Sequence, residues 1–184
     1  MTTTDEQLVR HERVAIARLH ALLELLPTAL DKELAGVGLT SFEFTLLDAL
    51  ADAENRRLRL SALAARTNAT LPRLSRVVTG LERKGLVERV PCAQDGRATN
   101  AVLTAEGLAA CDRARPVYAQ AVRRLALDAL DADEVDQLAA IAYAILSRLD
   151  PQGRFAVTAA ASAEGPASVE GPAPVGPRCP ADPE

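Results

Sequence analysis

One segment decides the fold of this chain: residues 61–103, which read SALAARTNATLPRLSRVVTGLERKGLVERVPCAQDGRATNAVL. Ser61 can cap a helix that ends near Asn68, a residue type that tolerates the left-handed conformation of a tight turn. Thr70 can cap a second helix, which Gly85 ends. The spacing therefore predicts two helices joined by a short turn, a helix-turn-helix pattern.

Two short strands are predicted after the second helix, over 86–90 and 99–103. The turn signal Asp95-Gly96 lies between them. The predicted hairpin would be a slim protrusion beside the second helix. Such a protrusion suits the narrow, electronegative minor groove of DNA, and Arg97 at its tip supplies the cation.

The charge is distributed unevenly, although the whole chain of 184 residues has a net charge of only −4. Residues 55–97 contain ten basic and three acidic side chains, a net charge of +7, so the other 141 residues carry −11. A basic segment within an acidic body indicates a local site for a polyanion. The alternative at this point is a solvated, arginine-rich helix face.

The second helix is predicted to bury one stripe and to present the other faces to a duplex. Its inner stripe is Leu74, Val77, Val78 and Leu81. Arginine pairs bidentately with guanine in the major groove, and hydroxyls bind bases or phosphates. The predicted DNA-binding residues in and beside this helix are Thr70, Arg73, Ser75, Arg76, Arg83, Lys84 and Arg89.

Further helices are predicted on both sides of this segment. Their predicted caps are Thr40 with Glu43, Thr104, and Asp131 with Glu134. The first helix is predicted to end at Gly36 and Gly38. Pro27 is expected to bend this helix, and Pro116 is expected to bend the helix that follows Thr104. The first and last helices carry long aliphatic stripes, which a domain of about 150 residues with few aromatics has limited means to bury alone. Dimerisation through them is predicted, with packing within one chain as the alternative.

Four blocks in the same order and spacing resemble the MarR family of bacterial winged-helix regulators: LAAR at 63–66, LERKGLVER at 81–89, DGRA at 95–98 and LTAEG at 103–107. The resemblance covers about residues 5–149. It implies a homodimer whose terminal helices interlock, a recognition helix at 70–84 in the major groove, and a wing at 86–103. It also implies that Arg97 enters the minor groove, that Asp95 orients it, and that Ser75 and Arg76 face bases or phosphates.

The predicted fold is mainly α: a winged helix-turn-helix with N- and C-terminal dimerisation helices and a two-stranded wing. The predicted segments are a dimerisation helix (1–38), the winged region (39–104), C-terminal dimerisation helices (105–150) and a disordered tail (151–184). The tail has 7 Pro and 4 Gly in 34 residues, too little apolar content to offset the entropy of ordering.

The resemblance further implies a small-molecule effector, often an anionic aromatic compound, between the DNA-binding lobe and the dimer helices. The cations that we expect to bind such an anion are Arg18, His20, Arg57 and Arg59. The ligand would favour a spacing of the recognition helices that no longer matches a palindromic operator.

Other functions are weighed against this one. The two histidines, His11 and His20, have no Cys or Asp patterned as a partner, and no phosphate-binding glycine loop occurs, so we expect neither an enzyme nor a cofactor. Cys92 near Arg89 is a candidate redox sensor, because neighbouring cations lower the pKa of a thiol; Cys111 is expected to pack.

A winged helix that binds only proteins is the other alternative, and its affinity would depend little on salt. The basic segment lacks an aromatic residue to stack single-stranded bases. With no signal peptide or apolar run long enough to span a bilayer, a cytoplasmic regulator of double-stranded DNA is predicted, most often a repressor in such families.

Overall fold

The computed structural model describes residues 7–92 and 95–159, and for residues 95–97 and Ala159 it describes the backbone only. Six helices of seven residues or more and three strands make up most of this part of the chain. In chain order the elements are α1 (Arg10–Leu34), α2 (Ser41–Ala51), β1 (Arg57–Arg59), α3 (Leu60–Arg66), α4 (Leu71–Arg83), β2 (Val87–Cys92), β3 (Asp95–Leu103), α5 (Ala105–Leu125), α6 (Ala132–Leu149) and α7 (Ala156–Ala159).

The sheet has three antiparallel strands in the order β1-β3-β2, whereas the sequence predicted a two-stranded wing. The additional strand, β1, pairs Leu58 with Ala101 and Arg59 with Asn100 of β3. The prediction missed β1 because three residues are too few to show an alternating pattern. Its extended conformation is stabilised by pairing with a strand that lies more than forty residues away in sequence.

The turn between α3 and α4 has the predicted conformation at Asn68, whose φ is +53°. The Thr67 hydroxyl donates to the Leu63 carbonyl at 2.7 Å, and the Ala69 amide donates to the Ala64 carbonyl at 2.9 Å. These bonds satisfy carbonyls at the end of α3. The predicted start of this helix is wrong by two residues, since α3 begins at Leu60 with Arg59 as its cap, rather than after a Ser61 cap.

The predicted starts of α2, α5 and α6 are confirmed by hydrogen bonds. Thr40 with Glu43 and Asp131 with Glu134 form capping boxes, and the Thr104 hydroxyl accepts from the Gly107 amide at 2.9 Å. The α1 and α5 helices each continue through an internal proline, so Pro27 and Pro116 do not divide them. Regular turns on both sides of each proline keep the helix continuous although one N–H donor is missing.

The hydrophobic core lies between α2, α3, α4, the sheet and the first half of α5. Its fully buried large side chains include Leu46, Leu47, Leu50, Leu63, Leu74, Val78, Leu81, Val87 and Cys111. An ion-pair cluster joins α5 to α2 at the surface of this core: the Arg115 guanidinium lies 2.8 Å from Asp48 and 3.4 Å from Asp52.

The α6 helix buries none of its residues within the protomer. Its exposed aliphatic residues follow one stripe: Leu138 (48% exposed), Ile141 (60%), Ile145 (39%) and Leu149 (73%). The first two thirds of α1 are similarly bare, and only Leu30 and Leu34 of that helix are buried. Among the described residues, no single helix has the length and apolar composition to cross a bilayer; the stretch Arg10–Val37 and α2, bent by 71°, meet those criteria only as a pair.

A turn and the short helix α7 follow the end of α6. The Asp150 carboxylate accepts from the Thr158 hydroxyl at 2.6 Å and from the Phe155 amide at 2.9 Å. These hydrogen bonds, the one from Thr158 above all, lower the pKa of Asp150. Residues 151–159, which lie in the segment predicted as a disordered tail, form a turn around the Asp150 carboxylate and the short α7. The rest of the predicted tail, 160–184, lies outside the described residues.

Candidate nucleic-acid interface

The α4 helix separates its apolar and basic residues onto different faces. Leu74, Val78 and Leu81 are fully buried against the core, as the sequence predicted for the inner stripe, and Val77 is partly buried. The residues of α4 and its cap that are exposed and predicted to bind DNA are Thr70, Arg73, Arg76 and Arg83. Thr70 is the N-cap residue, but its hydroxyl makes no capping hydrogen bond.

Arg73 lies against an aromatic ring on a neighbouring helix. Its guanidinium carbon is 4.3 Å from the centroid of the Phe42 ring, in the second position of α2. This distance is within the range of a cation–π interaction. Sequence reasoning missed Phe42, because nothing local indicates that position 42 and position 73 meet.

Arg89 is engaged within the protomer rather than presented outward. Its Nη2 donates to the Ser75 carbonyl at 2.7 Å, to the Ser75 hydroxyl at 3.1 Å and to the Thr79 hydroxyl at 3.0 Å. Its Nε lies 3.9 Å from the Glu82 carboxylate. All three partner residues belong to α4 and Arg89 to β2, so this side chain joins α4 to β2.

Lys84 is also engaged within the protomer. Its Nζ lies 2.8 Å from Glu43 Oε1 and 3.2 Å from the Gly38 carbonyl. The other oxygen of Glu43 accepts from the Thr40 amide at 2.9 Å. The ion pair therefore attaches the end of α4 to the capping box of α2, and its charge is balanced by a carboxylate.

The wing strands are longer than predicted, because β2 extends to Cys92 and β3 begins at Asp95. Their pairing is irregular between Pro91 and Cys92. The backbone of Arg97 lies in β3 next to this irregularity. The side chains of Asp95 and Arg97 lie outside the described residues, so their predicted roles stay predictions.

The two described cysteines are buried. Cys92 is 2% exposed and accepts a hydrogen bond from Arg59 Nη2 at 3.5 Å; the sequence had placed Arg89 near it. Arg89 itself is hydrogen-bonded to α4, and the redox role of Cys92 stays a prediction. Burial and the nearby Asp48 raise the pKa of the Cys111 thiol to about 12, in agreement with its expected packing role.

The cations predicted to bind an effector lie on two separate elements. Arg18 and His20 are exposed on α1, whereas Arg57 and Arg59 lie on β1. A shallow depression on α1 is lined by Arg10, His11, Val14, Ala15 and Arg18, so it includes one of the four. In the described part of the chain, no group of three or more His, Cys, Asp and Glu side chains has the arrangement of a metal site.

Comparison with known proteins gives consistent matches. The MarR family model matches residues 36–98. The crystal structure of AbsC, a MarR family transcriptional regulator from Streptomyces coelicolor, is 32% identical with a TM-score of 0.74, covering 79% of this chain and 99% of that one. The chain belongs to the MarR family.

Two further relatives of this MarR-family chain are informative. Sco3205, a MarR family regulator from Streptomyces coelicolor solved in complex with DNA, is 32% identical with a TM-score of 0.76, covering 79% of this chain and 96% of that one. The HTH-type transcriptional repressor YetL of Bacillus subtilis (strain 168) is 37% identical over 82 residues, 45% of this chain. The chain spans about half (49%) of the length of that curated relative.

Family membership confirms the resemblance that the four sequence blocks indicated. The winged-helix fold class is confirmed as well, although the sheet has one more strand than predicted. The MarR family consists of DNA-binding transcriptional regulators that are not enzymes, which agrees with the predicted class of function.

Proposed function

We propose that this chain is a ligand-responsive transcriptional repressor that binds a palindromic, double-stranded operator as a homodimer. In this proposal α4 enters the major groove and the β2–β3 wing lies along the adjacent minor groove. The observation that carries it is the division of α4: Leu74, Val78 and Leu81 are buried, while Arg73, Arg76 and Arg83 are exposed on a helix whose neighbours supply the wing.

Two comparisons support the choice of duplex DNA as the partner. Sco3205, which shares the fold at 32% identity, was crystallised in complex with DNA, and YetL is a transcriptional repressor. The net charge of +7 over residues 55–97 supplies the electrostatic attraction, and the acidic remainder would orient the molecule so that this face meets the phosphates.

The bare α6 stripe supports the homodimer. An 18-residue helix with no buried residue exposes Leu138, Ile141 and Leu149, and a second copy would cover that surface together with the exposed part of α1. In a two-fold dimer the recognition helices would be spaced about one turn of DNA apart, roughly 34–36 Å. The segments 1–38 and 105–150 would then act as the dimerisation elements and 39–104 as the DNA-binding region.

The effector belongs to the same proposal. An anionic aromatic compound near Arg18, His20, Arg57 or Arg59 would shift the dimer toward a spacing that fits the operator poorly. A typical coupling of about 1–3 kcal/mol would weaken operator affinity about 5- to 150-fold.

Three of the residues predicted to bind DNA would contribute to the DNA interface indirectly. Ser75 and Arg89 would do so by holding α4 and the wing together, and Lys84 by holding α4 on α2.

Sedimentation velocity tests the dimer. Wild type is expected to sediment as a dimer at micromolar concentration, and Ile141→Glu should shift it to monomer by placing a charge on the apolar stripe. Ala140→Glu is the matched control, because position 140 lies on the opposite side of α6 at 3.6 residues per turn. A monomeric wild type, or an Ile141→Glu variant that stays dimeric, would contradict the dimer.

Binding to a fluorescent duplex containing the DNA flanking the gene, measured at 50 and 200 mM salt, tests the DNA-binding function. We expect affinity to fall steeply at the higher salt because counterions are released from the phosphates. Adding salicylate as an anionic aromatic probe should weaken binding in wild type and less in Arg59→Ala. Binding that is independent of salt would favour the protein-interaction alternative.

A further inference from the structure

We propose that Phe42 is a specificity-determining positioning residue: its ring holds the Arg73 guanidinium in place so that Arg73 reads one guanine in each operator half-site. This inference rests on the proposed function and extends it to a base and an atom pair. The contact that carries it joins Arg73 Cζ and the Phe42 ring centroid at 4.3 Å.

The location of the pair favours base reading. Arg73 is the third residue of α4, and the N-terminal residues of a recognition helix are those that approach base edges. Its side chain is exposed, and it makes no ion pair with a carboxylate among the described residues. The guanidinium is therefore restrained by an apolar surface and keeps its hydrogen-bond donors available.

The chemistry of the contact favours guanine. The Arg73 Cζ lies over the Phe42 ring, which offers no lone pair to the N–H donors that point outward in the plane of the guanidinium. Those donors form the fork that pairs with O6 and N7 of guanine in the major groove. Phe42 thus restricts the rotamers of Arg73 before DNA is bound, so that Arg73 loses less conformational entropy on binding. The ring does not compete with guanine for the N–H donors.

Arg76 provides an internal comparison on the same helix. It is exposed like Arg73 and lies three residues further on, about one turn from it. In the described part of the chain, the arginines that lie over aromatic rings are Arg73 on Phe42 and Arg154 on Phe155, so Arg76 has no such support. Removing the Phe42 ring should affect reading by Arg73 and leave reading by Arg76 unchanged.

The experiment uses a duplex selected by the full-length wild-type protein from a random-sequence library. Each guanine of one half-site is replaced in turn by 7-deazaguanine, which lacks the N7 acceptor. We expect one position at which wild type loses about fivefold or more in affinity, and at which Arg73→Ala shows no further loss. Phe42→Leu, which keeps an apolar side chain but removes the ring, should weaken binding to the unmodified half-site about two- to fivefold and reduce the penalty at that position.

Two variants serve as controls: Phe42→Tyr for the ring, and Arg76→Ala to identify any guanine dependence that belongs to Arg76. Phe42→Tyr retains the ring face and should keep both the affinity and the penalty, whereas Phe42→Leu should leave any guanine dependence that belongs to Arg76 unchanged. Urea unfolding checks that each variant is folded. A full penalty in Phe42→Leu, or no guanine position that depends on Arg73, would overturn the inference while DNA binding stands. If wild type enriches no duplex, the proposed function fails and the inference fails with it.

Discussion

Arg89 of β2 and Ser75 of α4 are joined by two hydrogen bonds from one nitrogen, to the Ser75 carbonyl at 2.7 Å and to its hydroxyl at 3.1 Å. The same nitrogen reaches the Thr79 hydroxyl at 3.0 Å. A planar guanidinium with three acceptors on one helix fixes the angle between α4 and the wing. Two residues that the sequence predicts as DNA contacts are therefore engaged with each other in the free protein.

Arg89→Ala should weaken DNA binding through geometry rather than through lost charge. We expect the free energy of unfolding to fall by about 1–2 kcal/mol, because the hydrogen bonds that the Arg89 guanidinium donates to three acceptors on α4 are lost. The dependence of affinity on salt should stay unchanged, since no phosphate contact is removed. Titrations over a salt series, combined with urea unfolding, measure both quantities.

Arg83→Ala is the matched control for that substitution. Arg83 is exposed and makes no ion pair among the described residues, so its loss should leave stability unchanged and reduce the salt slope by about one per phosphate contact. A reduced slope in Arg89→Ala with unchanged stability would instead identify Arg89 as a phosphate contact.

Two glycine-to-alanine substitutions in helices should change stability in opposite directions. A Cβ at Gly80 of α4 meets nothing within 4 Å, so Gly80→Ala should stabilise the protein by about 1 kcal/mol through helix propensity. A Cβ at Gly107 of α5 would collide with the Leu86 carbonyl oxygen, so Gly107→Ala should be destabilising by more than that amount. Urea unfolding of both variants checks the signs, and equal signs would contradict the close approach of α5 to Leu86, the residue before β2.

The Cys111 thiol should make the protein less stable at alkaline pH. Its folded-state pKa of about 12 exceeds the ordinary 9.0, so the unfolded chain loses its proton first as the pH rises. The contribution of the protonated Cys111 thiol to the free energy of unfolding is complete below pH 9 and is lost between about pH 9 and 12. Cys111→Ala should be less stable at pH 7, because it leaves a cavity, but should lose less stability between pH 8 and 10.5. Parallel stability curves for the two proteins would contradict this account.

Native Cys92 should react slowly with thiol reagents, because it is 2% exposed. In a Cys179→Ser background, which removes the cysteine outside the described residues, we expect both remaining thiols to react fully with a disulfide reagent only after unfolding. Peroxide should leave DNA affinity unchanged. Rapid labelling of native Cys92 together with a peroxide-dependent loss of affinity would support the redox alternative.

Local signals in the sequence predicted most of the fold. Thr40, Thr104 and Asp131 cap helices as expected, since capping depends on residues within one turn. What the sequence did not predict depends on partners more than one helical turn away. The strand β1 exists through its pairing with β3, and the turn beyond α6 exists because Asp150 finds donors at Phe155 and Thr158.

The candidate site shows the same limit. Helical periodicity separated the buried stripe of α4 from its exposed arginines, because both depend on spacing alone. It could not distinguish arginines that face solvent from cations held within the fold, such as Lys84 on Glu43. Nor could it find Phe42, whose role depends on a contact between two helices.

Salt-dependent binding of the triple variant Arg73→Ala, Arg76→Ala and Arg83→Ala tests the central claim most directly. The measurement is fluorescence anisotropy on a duplex selected by wild type, from 50 to 300 mM salt, with unfolding curves to show that the variant is folded. The exposed face of α4 predicts that the variant loses tight binding and most of the salt slope. A folded triple variant that binds the duplex like wild type, with the same slope, would contradict it.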